Sequence, residues 1–472
     1  MQLLSLEFAA FFLIVLALAW TLRPYSTAFR ALLLAASYIF YAGFHAGFAL
    51  LLLGVSLATW GTALGLARLA GLATETGGQP PSRKAKSLVA AYLAVVLGEL
   101  CFFKYYGLAS ELTGMLPELA IVLPVGISFF TFQGIGYVVD VYRRPGEVVR
   151  SPLDVLLFMA FFPTVLSGPI LRARDFIPQL SAAAPSWTDT NQAFWLIIVG
   201  LFKKVALSSY LSEHVTRQLF SAPDDFSSLG ALVGVMGYSA QIYCDFSGYS
   251  DLAQGLAGLM GLRVPDNFNQ PYKARNLREF WQGWHISLST WLRDYLYIPL
   301  GGSRCGPVQR NLNLLLTMGL GGLWHGASLT FLAWGALHGV GLMVTHALAG
   351  RVGATLTGWQ ARARDAAFWA CTFGFVTLAW VFFAAPDFAT AAQVLARIVS
   401  FDSDGTGPTV TLTVITLGVI GFQAFRLDWL RVCPAGLSRL PAPAMAAALG
   451  ALGALIVRMG PDGVLPFIYF SF

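Results

Sequence analysis

The chain has 472 residues, of which 56% are hydrophobic and only 11% charged, and its mean hydropathy is +0.65. This composition excludes an ordinary soluble protein and predicts an all-α polytopic membrane protein in contact with membrane lipid. The formal net charge of +6 is explained by basic loops at one membrane face. It does not indicate nucleic-acid binding, which needs a basic surface on a soluble domain.

Apolar stretches run through the whole chain. A full membrane span needs about 20 apolar residues, so the pattern predicts roughly ten to thirteen transmembrane or re-entrant helices. The stretches are 3–20, 28–53, 54–70, 87–108, 119–139, 153–169, 193–211, 229–262, 312–324, 327–348, 366–385, 409–424 and 441–458. The polar connections are too short to form a core of their own, so a single membrane-embedded domain over residues 1–472 is predicted.

The N-terminal stretch lacks the features of a removed signal peptide. It has no basic residue before its apolar run and no small-residue cleavage site before Arg23, so we expect a retained helix. Basic residues follow the first, third and fifth stretches, at positions such as Arg30, Lys84 and Arg143. By the positive-inside rule these loops are cytoplasmic and the N-terminus lies on the opposite side of the membrane.

The segment FMAFFPTVLSGPI interrupts the succession of apolar helices. It contains Pro163 and Pro169, and Arg150 and Arg172 lie on its two sides. Basic residues at both ends favour a re-entrant or interfacial element. Irregular backbone at membrane depth is tolerated only where protein or water satisfies its polar groups.

Residues 276–296 are predicted to form one amphipathic helix. Its apolar stripe, at spacings of three and four, consists of Leu277, Trp281, Trp284, Leu288, Trp291 and Tyr295. Its polar face carries Arg278, Gln282, His285, Ser289 and Arg293. His285 then lies at the boundary of the two faces, where the neighbouring arginines disfavour protonation and a neutral imidazole is expected. Interfacial anchoring by the tryptophans is the alternative explanation of the stripe.

His325 lies in the glycine-rich apolar segment GLGGLWHGA. Glycine at this density permits either the close approach of a ligand or tight helix packing. Ionisable groups at membrane depth are costly and indicate reaction centres or transport pathways. If the segment continues as one helix, His338 lies about 140° away around the axis and need not share the site of His325.

The sequence has no nucleophile elbow with a plausible triad, no HExxH pair and no Walker loop. Metal-dependent hydrolysis and ATP-driven transport therefore lack support, and neither a metal site nor a bound cofactor is expected. The chemistry that suits a neutral histidine at membrane depth is general-base activation of a hydroxyl toward an activated acyl group.

Distinctive motifs extend from about residue 124 to the last residue: PVGISFFTFQGIGYVVDVYR, FMAFFPTVLSGPILRARDFIPQL, IYCDFSGYSDLAQGLAGLMGLRVPDNFNQPY, FWQGWHISLSTWLRDYLYIPLGGSR, GGLWHGASLTFLAWGALHG and PFIYFSF. They resemble the membrane-bound O-acyltransferase (MBOAT) superfamily, in the bacterial branch of the alginate O-acetyltransferases. This resemblance implies a helical bundle around a central tunnel. It also implies that His325 is the catalytic histidine. His285, at the second signature position, is expected to belong to the catalytic site and to orient the donor or the acceptor.

The resemblance also implies an acyl donor, most simply acetyl-CoA, whose phosphates meet Arg275, Arg278 and Arg293. The expected substrate-binding residues are Arg278, Ser289, Arg293, Asp294, Asn269 and Trp324. Asn267 belongs to the same signature as Asn269. Asp245 and Asp251 of the CDFSGYSD motif are either signature residues or helix-packing polar groups.

The implied function is O-acetylation of an exported polysaccharide, with a periplasmic acetyltransferase partner and the polysaccharide synthesis machinery. The implied location is the bacterial inner membrane, with the N-terminus in the periplasm. D-alanyl transfer to teichoic acids and O-acetylation of peptidoglycan or a cellulose-like glycan are alternatives. Outside the enzymes, a glycan or lipid transporter with histidine proton relays is the competing hypothesis.

Overall fold

The computed structural model describes residues 3–75, 82–117, 119–181, 190–348, 357–425 and 441–459. Regular structure within these ranges is helical, apart from one isolated parallel bridge between Phe226 and Thr406. The predicted all-α fold is therefore confirmed. The C-terminal motif PFIYFSF lies outside the described residues.

The helices follow one another through short connections. In chain order they are α1 (Leu6–Leu22), α2 (Ser26–Ala42), α3 (Ala46–Glu75), α4 (Arg83–Thr113), α5 (Ile127–Arg143), α6 (Pro152–Ala160), α7 (Ala173–Ser181), α8 (Thr190–Ser221), α9 (Ser228–Leu259), α10 (Leu277–Gly283), α11 (Ile286–Leu292), α12 (Pro307–His325), α13 (Leu329–Leu348), α14 (Gly358–Ala384), α15 (Phe388–Val399), α16 (Val410–Ala424) and α17 (Ala442–Met459).

Five helices of the described ranges are long and apolar enough to cross a membrane. They are the part of α3 from Ala46 to Gly71 and the whole of α4, α8, α13 and α14. Shorter apolar helices, such as α1 and α2, accompany them. This is the pattern of a multi-pass membrane protein, while the total number of crossings stays a prediction.

The chain divides into two compact units, one of residues 1–194 with 253–265 and the other of residues 195–252 with 266–472. Within the first unit, α6 ends at Ala160 and the chain stays irregular and buried until α7 begins at Ala173. The Phe162 backbone N–H donates to the Ser37 hydroxyl at 3.1 Å, so protein groups satisfy this backbone. The predicted interruption is confirmed, and its re-entrant character stays a prediction, as does the single domain.

In the second unit, α8 contains the π-helical segments Phe202–Ser208 and Ser212–Thr216. The first segment carries two consecutive buried lysines that face carboxylates of α9. Lys203 pairs with Asp251 at 2.7 Å, and Lys204 pairs with Asp245. The two aspartates of CDFSGYSD therefore contribute buried ion pairs to helix packing.

Candidate active site

The predicted continuous helix over 276–296 is wrong, because the helix breaks at His285. α10 ends at Gly283, and His285 adopts the left-handed region with φ 42° before α11 begins. The backbone of the preceding NFN motif causes the break. The Asn269 N–H donates to the Gly283 carbonyl at 2.9 Å, and the Ile286 N–H donates to the Asn267 carbonyl at 2.9 Å. These bonds replace hydrogen bonds that would continue the helix.

The break removes His285 from the boundary between an aromatic and a basic face. His285 is fully buried, as are Trp284 and most of the stripe, whereas Arg278 and Arg293 are exposed. Burial, rather than repulsion by arginines, keeps the imidazole neutral: it lowers the pKa of His285 to about 3. His285 lies outside the five long apolar helices. The stripe faces protein, so interfacial anchoring does not explain it.

His285 contacts polar groups through Nδ1, and two aromatic rings pack against its imidazole. Its Nδ1 lies 3.1 Å from Asn267 Oδ1. The rings of Phe246 and Trp324 pack against the imidazole, at centroid distances of 4.5 Å and 5.8 Å. Nε2 has no hydrogen-bond partner within the described residues.

His325 is the last residue of α12 and is also buried. Its imidazole lies 5.0 Å from the Trp324 ring, 5.1 Å from the Trp334 ring and 5.2 Å from the Phe383 ring, measured between centroids. Trp324 therefore touches both His285 and His325. The rings of Trp324, Trp334 and Phe383 form an aromatic cage around His325. A buried site of this kind limits hydrolysis of a reactive acyl group.

The glycines around His325 serve helix packing. A Cβ on Gly322 would lie 2.2 Å from the Phe331 carbonyl oxygen, and one on Gly335 would lie 2.3 Å from the Met318 carbonyl oxygen. α12 and α13 are thus in backbone contact as an antiparallel hairpin. Of the two explanations open from sequence, tight packing is the one that the structure supports.

His338 belongs to the same aromatic cluster, contrary to the projection along one helix. That projection fails because α12 ends at His325 and the chain turns back into α13. Trp334 contacts His338 at 4.8 Å and His325 at 5.1 Å between ring centroids. The Trp281 indole N–H donates to His338 Nδ1 at 3.3 Å. Sequence analysis set His338 apart from His325 and did not single out Trp334.

The other predicted substrate-binding residues do not gather around the histidines. Asn269 is exposed and accepts a hydrogen bond from the Lys273 ammonium at 3.3 Å. Arg293, which is exposed, pairs with Asp294 at 2.7 Å at the start of the π-helical segment Arg293–Tyr297 that follows α11. The Ser289 hydroxyl donates to the Trp284 carbonyl at 3.0 Å. Among the predicted residues, only Trp324 joins His285 and His325 in the cage.

Arg275 and Arg278 also lie away from the cage. Arg275 is engaged by Asp365 at 2.6 Å. Arg278 is exposed, and no carboxylate of the described residues forms a salt bridge with it. A Cβ on Gly341 of α13 would lie 2.2 Å from the Leu277 side chain, so the start of α10, which carries Arg278, packs against the C-terminal half of α13. Arg310 lies in the first turn of α12, at the same end of the α12–α13 hairpin. Arg310 was not singled out from the sequence.

No group of three His, Cys, Asp or Glu side chains in the described ranges is arranged to hold a metal ion. The site brings together three imidazoles through two indoles. Trp324 contacts both His285 and His325. Trp334 contacts both His325 and His338. Such a site is suited to moving a proton in a dry environment.

Sequence comparisons decide which chemistry this geometry serves. The family model described as MBOAT, membrane-bound O-acyltransferase family, matches residues 148–385. The chain is also 34% identical to a probable alginate O-acetylase AlgI of Pseudomonas putida, over 93% of this chain and 94% of that protein. The chain belongs to the membrane-bound O-acyltransferase family. It is an O-acyltransferase of the alginate O-acetylase-like branch, and family membership replaces the transporter hypothesis.

Two further relatives show how wide the family is. The peptidoglycan O-acetyltransferase of Helicobacter pylori is 34% identical, over 78% of this chain and 73% of that protein. The teichoic acid D-alanyltransferase of Bacillus subtilis is 32% identical over 46% of this chain and 57% of that protein. The MBOAT match ends at residue 385 and includes all three buried histidines.

Proposed function

We propose that this MBOAT protein transfers an acetyl group from cytoplasmic acetyl-CoA for O-acetylation of an exported polysaccharide, with a periplasmic acetyltransferase partner. The observation that carries the proposal is the buried His285–Trp324–His325 cage in a chain similar, over nearly its full length, to a probable alginate O-acetylase. The bacterial inner membrane, with the N-terminus in the periplasm, is the proposed location.

The proposed reaction moves one proton and one acyl group. The acceptor hydroxyl attacks the thioester carbonyl while His325 takes the hydroxyl proton. The carbon–sulfur bond then breaks, and the proton passes to the leaving thiolate. General-base assistance of this kind accelerates a reaction by about 10² to 10⁴.

Arg278 and Arg310 are the proposed contacts for the donor phosphates. Arg310 and His325 lie near opposite ends of α12, about 22 Å apart along its axis by helical rise. An extended pantetheine arm has a comparable length, so a donor held at the arginines presents its thioester to the cage. Arginine suits this role because its planar donors match phosphate oxygens.

The experiment compares exopolysaccharide O-acetyl content in cells carrying the wild type, His325→Ala or His214→Ala. His214 is exposed and stacks on Tyr210, so it provides a matched histidine control. We expect His325→Ala to lower acetyl content at least 100-fold and His214→Ala to leave it unchanged. Normal acetylation by His325→Ala at normal protein level would contradict the catalytic assignment.

Peptidoglycan is the second candidate acceptor, because the similarity to the Helicobacter pylori enzyme is 34% identity over 78% of this chain. Ester analysis of the purified cell wall from the same strains separates the two. Acetyl esters lost from peptidoglycan, with the exopolysaccharide unaffected, favour the second candidate. D-alanyl esters lost instead would identify the D-alanyl alternative.

A further inference from the structure

Asn267 is buried in the segment that leads from α9 to α10, and its side chain contacts four polar groups of three neighbouring residues. Its Oδ1 lies 3.1 Å from His285 Nδ1, 3.2 Å from the Ser287 backbone nitrogen and 2.9 Å from the Ser287 hydroxyl. Its Nδ2 donates to the Ser250 hydroxyl at 3.2 Å. The amide is therefore held from both sides.

The backbone fixes which end of the amide faces His285. A backbone N–H can only donate, so the Asn267 atom opposite the Ser287 nitrogen is the carbonyl oxygen. Rotating the amide by 180° would direct its NH₂ group at the Ser287 N–H, leaving two donors facing each other. The oxygen is consequently fixed next to His285 Nδ1.

This oxygen in turn fixes the proton on the imidazole. An amide oxygen only accepts, so His285 Nδ1, 3.1 Å away, carries the hydrogen. In the opposite tautomer Nδ1 accepts from the Ser287 hydroxyl at 3.4 Å. That arrangement sets two acceptors against each other at 3.1 Å and gives up the shorter 2.9 Å bond from Ser287 to Asn267.

We propose that Asn267 is a positioning residue that holds neutral His285 as the Nδ1–H tautomer, so that Nε2 keeps a lone pair available to accept a hydrogen bond. Nε2 has no partner within the described residues and lies in a fully buried side chain. Buried polar atoms are nearly always hydrogen-bonded, so we expect Nε2 to accept a hydrogen bond from a bound substrate.

The donor it fits is the hydroxyl of the acyl acceptor, an assignment that rests on the proposed function. His285 Nε2 accepts that hydroxyl hydrogen bond and orients the oxygen for attack. In this tautomer Nε2 cannot donate, so His285 does not polarise the thioester carbonyl. The roles of the two signature histidines are thereby separated: His285 orients the acceptor, and His325 takes its proton.

The tautomer is measured by nitrogen-15 NMR of histidine-labelled full-length protein in nanodiscs, with the His285 signals assigned by their loss in His285→Gln. We expect a protonated Nδ1 and an unprotonated Nε2 in the wild type, and a mixture of tautomers in Asn267→Ala. A proton on Nε2 in the wild type would overturn the proposal, and so would an unchanged tautomer in Asn267→Ala.

Three variants separate positioning from simple destabilisation. Asn267→Asp keeps an accepting oxygen and should retain the Nδ1–H tautomer. Ser250→Ala removes only the Nδ2 partner, and Asn313→Ala removes another buried amide, which donates to the Leu300 carbonyl at 3.0 Å. Neither should change the tautomer. A tautomer change in Ser250→Ala or Asn313→Ala equal to that in Asn267→Ala would refute a specific role for Asn267.

Turnover provides the functional readout. We expect Asn267→Ala to lower kcat about 10-fold to 100-fold with little change in the KM for the donor, because the loss concerns orientation in the transition state. Raised KM with unchanged kcat would contradict this. If the wild type transfers no acetyl group, the proposed function fails, whereas the NMR result still decides the role of Asn267.

Discussion

Gly322 of α12 and Phe331 of α13 are in backbone contact: a Cβ on Gly322 would lie 2.2 Å from the Phe331 carbonyl oxygen. Gly322 lies about one helical turn before His325 in α12, and Phe331 lies three residues before Trp334 in α13. The contact therefore sets the distance between the two helices that carry the aromatic cage. Any residue larger than glycine must push α12 and α13 apart.

Replacing Gly322 with alanine should destabilise the protein and loosen the cage. The added methyl group meets rigid backbone, and overpacking of this kind costs typically about 1–3 kcal/mol. Thermal unfolding of the purified protein measures the effect. Gly319→Ala is the matched control, because its Cβ meets only the Leu332 side chain, at 3.4 Å. Equal melting temperatures for the two variants would contradict the packing argument.

Replacing Lys204 with methionine should be strongly destabilising. Lys204 and Asp245 are both buried, so the substitution leaves a carboxylate in the interior without its ion-pair partner, at a cost of about 3–5 kcal/mol. Thermal unfolding again provides the measurement. Arg144→Met is the control, since the Arg144–Glu147 pair is 48% and 36% exposed and worth about 0–1 kcal/mol. We expect the double variant Lys204→Met, Asp245→Leu to recover stability.

Activity should depend on pH differently in Asn267→Asp and in the wild type. Burial lowers the pKa of wild-type His285 to about 3, so its imidazole stays neutral as the pH falls from about 8 to 5. In the variant, the carboxylate stabilises the imidazolium and raises that pKa. Among the described residues, the side chains that hydrogen-bond to His285 or pack their rings against it are Phe246, Trp324, Asn267 and Ser287, and none of these four is ionisable.

The ratio of variant to wild-type rate should therefore fall as the pH is lowered. Taking the ratio removes every pH effect that is common to both proteins. Initial rates of acetyl transfer in nanodiscs, measured across this pH range, test the prediction. A ratio that stays constant with pH would show that the carboxylate does not act on His285.

Arg278 and Arg293 should differ in their effect on donor use, although sequence analysis placed them on one face. Arg293 is neutralised by Asp294 at 2.7 Å, whereas the described residues supply no salt-bridge partner for Arg278. We expect Arg278→Ala to raise the KM for acetyl-CoA about tenfold, the loss of one charge-assisted contact, and Arg293→Ala to change it little. An unchanged KM in Arg278→Ala would remove Arg278 from the donor site, and a tenfold rise in Arg293→Ala would show that the ion pair with Asp294 does not keep Arg293 from the donor.

The sequence by itself determined the membrane class, the helical fold and the two signature histidines. The free energy of transferring a segment from water to lipid depends on the composition and length of that segment alone, so membrane helices can be predicted segment by segment. The motifs around His285 and His325 were sufficient to indicate the MBOAT family. Proline and flanking charge were enough to predict the interruption at Pro163.

Only the tertiary structure decided how the histidines are arranged. Helical periodicity placed His285 beside Arg278 and Arg293 and set His338 apart from His325. Both predictions failed for the same reason: they assumed an unbroken helix. The break at His285 is made by hydrogen bonds that Asn267 accepts from Ile286 and Ser287 and by one that Asn269 donates to Gly283. The break after His325 is made by the hairpin of α12 and α13. These contacts join residues of different segments, so the periodicity within one segment cannot predict them.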